Sequence, residues 1–175
     1  EGAGTLVANR IENCLVGLKV HRGGECTARA NEIRNCHDVG VRLADGSRAT
    51  IEKNTIVGNG TNVEIDGSDS LPIVSKNTIR DATKYGILST GRAKGTVSKN
   101  TTQGNRGAGV GTTKGGNSLF DRNVSACDKG PAIRCSEGGK GVFVNHVANR
   151  GMSKGCVIES EAEPTITRLV VSGAE

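Results

Sequence analysis

The side chains able to carry chemistry here are three histidines, six cysteines and a scatter of carboxylates, so their spacing decides what they could do. Cleaving an acidic sugar chain takes two carboxylates within about 10 Å of each other. The aspartates Asp38, Asp45, Asp66, Asp69, Asp81, Asp121 and Asp128 fall at unrelated positions once the chain is divided into repeats. His21, His37 and His146 sit at three different offsets. The nearest thing to a constellation is His21 with Arg22, Asp45 and Asp66, at equivalent or adjacent turn positions. It reads either as a polar turn edge or as a small acid–base or ligand site. The sequence leans away from an enzyme.

The cysteines, Cys14, Cys26, Cys36, Cys127, Cys135 and Cys156, contain no C-x-x-C pair and accompany no paired histidines. A zinc site is therefore not expected, and no metal or cofactor is implied. Cys14 and Cys36 each follow a repeat asparagine by five residues and should stack on neighbouring coils as small, buried, reduced side chains. That favours an intracellular, cytoplasmic setting. Asn-x-Ser/Thr sequons occur at Asn59, Asn100 and Asn123, but two of these belong to the repeat and say little about secretion.

A basic stripe is clearer. Lys53, Lys76, Lys99 and Arg122 each precede a repeat asparagine, and stacking would align them in one outer column. Like charges at that spacing repel by about 1 kcal/mol per adjacent pair before screening. The column is either a solvated edge or a surface for an anion or an acidic partner, such as an acidic polymer or polysaccharide. Nucleic acid is disfavoured, because single strands are usually gripped by aromatic platforms and aromatics are 2% of the chain.

What must position these groups is a repeat. Asn9, Asn31, Asn54, Asn77, Asn100, Asn123 and Asn145 recur at steps of 22 or 23 residues, each in a short β-branched segment such as Val74-Ser-Lys-Asn77-Thr-Ile79. Eight or nine residues later comes a second segment, such as Gly40-Val-Arg-Leu43, alternating apolar and polar with period two. Such segments are too short and too Gly-interrupted for helices. One turn of short strands per 22–23 residues is a parallel β-helix coil, which buries its inner face only by stacking on the next. The spacing predicts an all-β, right-handed, single-stranded parallel β-helix of about seven coils. Stacked asparagines can bond amide to amide in a ladder and tolerate the left-handed backbone of a sharp turn.

The 175 residues suit a single domain spanning 1–175, with regular coils over about 6–158 and an irregular last coil or cap over 159–175. With no Trp, one Tyr and two Phe, the core must be narrow and aliphatic. A formal charge of +5 fits a soluble domain, and no apolar run is long enough for a membrane span. The chain starts at Glu1 inside repeat-like sequence, which points to an excised part of a longer protein.

The pattern N-x-I-x-x-N/C…G-I/V-x-V resembles the parallel β-helix repeats of carbohydrate-binding proteins and sugar hydrolases. It is also similar to periplasmic copper-maturation β-helix proteins and to the substrate-recognition β-helices of certain F-box ubiquitin-ligase adaptors. The resemblance covers about residues 6–158 and implies the fold, since the repeated residues are those that build the coil. Two functions are expected from it: a non-catalytic scaffold or recognition domain for another protein, or a carbohydrate-binding or polysaccharide-active domain.

Overall fold

The computed structural model describes residues 2–126, 129–149 and 154–173; Cys127 and Asp128 lie outside them. The described residues form strands, turns and bends, with no helix long and apolar enough to cross a membrane. Three parallel sheets run the length of the stack. Sheet A has eight strands, from Ala3–Val7 to Thr165–Thr167, and sheet B eight, from Arg10–Glu12 to Val170–Ser172. Sheet C has seven, from Val16–Val20 to Cys156–Ile158. Each coil contributes one strand to each sheet in turn, so seven coils make a rod about 34 Å long at the usual strand spacing.

Register follows the inward residues. In sheet A the inner row is Leu6, Ala28, Ile51, Val74, Val97, Phe120, Phe143 and Ile166, each paired with its neighbour. Phe120 and Phe143 stack with ring centroids 4.6 Å apart. A one-residue slip would turn every one of these side chains outward, which holds the register firmly. Sheet B begins equally apolar with Ile33, Ile56 and Ile79, then changes to Thr102, Ser125 and Ala148. There Thr102 donates to Ser125 at 2.9 Å, so the polar groups satisfy each other inside the core.

The sheets continue beyond residue 158. Thr165–Thr167 pairs with Val142–Val144, and Val170–Ser172 with Val147–Asn149, so residues 165–172 open an eighth coil in register rather than cap the seventh.

The junction between sheets A and B is two residues long in every coil. Its first residue is left-handed at Ala8, Ala30, Lys53, Lys76, Lys99, Arg122, Asn145 and Arg168, with φ between 52° and 57°. The positive φ thus belongs to the residue before the ladder asparagine, not to the asparagine itself. Asn145 is one of these left-handed residues, so its placement in the ladder is corrected. Asp121 pairs with Val144 and Val124 with Val147, which puts His146 opposite Asn123. The repeat of six asparagines passes to a histidine, one residue further along than the nearest Asn.

Candidate functional site

The asparagine ladder is chemically saturated. Oδ1 of Asn77 accepts from both the backbone N–H and Nδ2 of Asn54, at 2.9 and 3.0 Å. Nδ2 of Asn77 donates to the Ile51 carbonyl and to Asn100 Oδ1, each at 2.9 Å. Asn31, Asn54 and Asn100 repeat this scheme coil upon coil, while Asn9 opens the row by donating to Asn31 Oδ1 and Asn123 ends it by accepting from Asn100. Amides so engaged build the turn and leave nothing to offer a substrate. At the end of the row His146 is buried, and its Nε2 lies 3.0 Å from the Ser125 hydroxyl. Burial pulls its pKa down to about 4.

A second ladder runs along the turn between sheets B and C. Here the left-handed residues are Asn13, Asn35, Gly58, Asp81 and Gly104, and the residues after them, Cys14, Cys36, Asn59, Ala82 and Asn105, share one turn position, the last four buried. Asn59 Oδ1 accepts the Cys36 N–H at 2.7 Å, and Asn105 Oδ1 accepts the Ala82 N–H at 3.0 Å. The final N/C of the repeat pattern, five residues after the first asparagine, was the signal for it. Of the two cysteines, Cys36 is buried as expected and Cys14 is exposed, because its coil is the outermost of the described stack.

The predicted basic column forms. Lys53, Lys76, Lys99 and Arg122 occupy one left-handed position on four successive coils, at the edge where the strands of sheet A end. The repulsion expected between them is relieved by acids one residue earlier. Glu52 lies 3.1 Å from Lys76 Nζ and 4.0 Å from Lys53 Nζ, and Asp121 lies 2.7 Å from Arg122. The hydrogen bond from Lys76 holds the Glu52 carboxyl below its usual range, and that from Arg122 does the same for Asp121.

A second basic group, not apparent from the sequence, flanks the opposite edge of the same sheet. Arg92, Lys94 and Lys140 surround a notch of about 330 Å³ floored by Gly115 and Asn117. Gly115 keeps the notch open: its φ is +72°, and a Cβ there would press on the Arg92 stem at 3.3 Å. Arg92 and Lys94 have no ion-pair partner among the described residues, whereas Lys140 reaches Glu163 at 3.2 Å. Between the two basic edges, the outer row of sheet A reads Thr27, Thr50, Ile73, Thr96, Leu119, Val142 and Thr165. Ile73 is 48% exposed and Leu119 40%.

The four residues of the polar turn edge do not converge. Arg22 and Asp45 are stacked left-handed residues, joined only through the backbone by Gly23 N–H to the Asp45 carbonyl at 2.8 Å. His21 and Asp66 fall one position earlier in their turns, and the Asp66 carboxylate leans over Gly91 of the next coil. The described residues contain no cluster of three or more His, Cys, Asp or Glu suited to a metal. Two acids do meet on sheet C, Asp38 and Glu64, but both are bound to Arg42, at 3.0 and 2.9 Å. Asp38 also borders a trough of about 700 Å³ lined by Leu15, His37, Gly60, Thr83 and Lys84.

The three continuous parallel sheets, closed by left-handed turns and internal amide ladders, accord with a family model described as a right handed beta helix region, which matches residues 16–171. The chain belongs to that family. No curated protein and no solved structure matches it. In this β-helix the repeated residues are accounted for by the coil, and the side chains that vary from coil to coil lie on the outer faces.

Proposed function

We propose that this β-helix is a non-catalytic recognition domain that binds an acidic, partly aliphatic segment of another protein along the outer face of sheet A. The observation that carries this reading is one flat face with two basic borders. Lys53, Lys76, Lys99 and Arg122 line one edge, Arg92, Lys94 and Lys140 the other, and Ile73 and Leu119 stand exposed between them. Basic borders steer an acidic partner and fix its register, while the exposed aliphatics supply area to bury. Parallel strands stacked in register hold these side chains at fixed spacing, so little order has to be gained on binding.

Selection of a random-peptide display library on the domain tests this. Enriched peptides should combine Asp or Glu with aliphatic residues and should bind Lys76→Glu/Lys99→Glu at least tenfold more weakly. A selection that enriches no acidic peptides would remove the proposal.

A second reading, carbohydrate binding, rests on Tyr85. Its ring lies across the outer face of sheet C over Gly111, where any Cβ would come within 2.7 Å of the ring. Aromatic rings laid on a flat surface can carry sugar rings. Binding to polygalacturonate that is lost on Tyr85→Ala and kept on Lys76→Glu/Lys99→Glu would favour it over the first reading. Polysaccharide cleavage is the less supported form of this reading, since Asp38 and Glu64 are both committed to Arg42.

A further inference from the structure

The second ladder begins with two thiols in place of amides. Cys14 and Cys36 occupy the same turn position on the first and second coils, each directly after a left-handed residue, Asn13 and Asn35. The His37 N–H donates to the Cys14 carbonyl at 2.8 Å, which stacks the two cysteines in register. One strand spacing is about 4.8 Å, within the roughly 4.4–6.8 Å that Cα atoms span across a disulfide. The two thiols lean the same way, toward the carbonyl two residues back: Cys14 Sγ to Glu12 at 3.3 Å, Cys36 Sγ to Arg34 at 3.7 Å. Gly17 leaves the space beside them open, since a Cβ there would come within 3.0 Å of Cys36 Sγ.

We propose that Cys14 and Cys36 are an oxidation site, closing into a reversible disulfide that ties the first coil to the second. Cys14 is exposed and can meet an oxidant, while Cys36 is 2% exposed and its thiol is pushed up by burial. With oxidised glutathione as the oxidant, the Cys14 thiolate attacks one glutathione sulfur and releases one reduced glutathione. The Cys36 thiolate then attacks the Cys14 sulfur and displaces the second. Two protein thiols are oxidised, one glutathione disulfide is reduced, and the two thiol protons end on the two glutathione molecules. Cys135 and Cys156 are not such a pair: they face Ile158 and Ile133 across sheet C and are offset along the strand.

The full chain incubated with oxidised glutathione, alkylated and digested with trypsin, tests the proposal. The expected product joins peptide 11–19 to peptide 35–42, carries no glutathione, and separates again with dithiothreitol. Cys36→Ser should stop at a glutathione adduct on Cys14, and Cys14→Ser should leave Cys36 unmodified. A wild-type chain that stops at the Cys14 adduct, joins other cysteines instead, or keeps both thiols free would overturn it.

Discussion

The side-chain amide of Asn62 stands where Ala82 has none. Asn62 Oδ1 accepts from Asn59 Nδ2 at 2.8 Å and from the Asn59 N–H at 3.3 Å, as the ladder residue of the next coil would. Its Nδ2 donates to Asn105 Oδ1 at 3.3 Å and to the Arg80 carbonyl at 2.9 Å. In neighbouring coils the position of Asn62 is held by Gly40 and Gly86, and a Cβ on either would collide with the amide of Asn59 or Asn105. The ladder can thus draw its amide from either strand, with a small residue opposite.

Asn62→Gly should therefore destabilise the domain by about 2 kcal/mol, because it leaves buried amide groups of Asn59 unmet. Ala82→Asn alone should destabilise by crowding the same space. Asn62→Gly/Ala82→Asn, which restores the arrangement of the adjoining coils, should recover at least about 1 kcal/mol relative to the sum of the single changes. Urea denaturation of the three variants measures this, and additive losses would contradict the exchange.

The first ladder should weaken by position. Asn77→Ala removes the acceptor of the Asn54 N–H and Nδ2 and uncovers the Ile51 carbonyl, all within the core. A loss of about 2–3 kcal/mol is expected. Asn9 is exposed and bonded on one side of the stack only, so Asn9→Ala should cost under about 1 kcal/mol. Equal losses at the two sites would speak against the ladder as a source of stability.

His146 should give the domain an acid-sensitive stability. His146 Nε2 lies 3.0 Å from the Ser125 hydroxyl, and its Nδ1 has no hydrogen-bond partner among the described residues. Burial lowers its pKa from 6.5 to about 4. Between those values the unfolded chain holds a proton that the folded chain refuses. The contribution is complete above pH 6.5 and fades as pH falls toward 4, by about 3 kcal/mol in all. His146→Asn, which supplies an amide at that rung, should flatten the difference between pH 7 and pH 4.5 in thermal or urea unfolding. An unchanged pH slope in the variant would assign the loss to other groups.

Much of the fold was legible because each coil repeats the same inward positions and junction length. The step of 22 or 23 residues and the period-two segments define three stacked sheets directly. The alignment failed where the repeat changes residue type. Asn145 and His146 are neighbours, and matching asparagine to asparagine chose the wrong one, whereas the pairing of Val124 with Val147 decides it. The second ladder was hidden for the same reason, since its rungs are Cys, Cys, Asn, Ala and Asn, with Asn62 supplied from another strand. The column of Lys53, Lys76, Lys99 and Arg122 was readable from constant spacing. Its neutralising acids and the notch around Arg92, Lys94 and Lys140 depend on how turns of different sequence fold back beside sheet A.

The recognition face is tested most directly by comparing peptide affinity with stability in one charge-reversed protein. Lys76→Glu/Lys99→Glu lies on exposed turn positions; it breaks the Lys76–Glu52 ion pair and sets a carboxylate beside Glu52, so it should cost about 1 kcal/mol and leave the domain folded. Acidic–aliphatic peptides selected on the wild-type domain should bind this variant at least tenfold more weakly, and wild-type binding should fall as salt rises. Equal affinity for the two folded proteins, independent of salt, would contradict it.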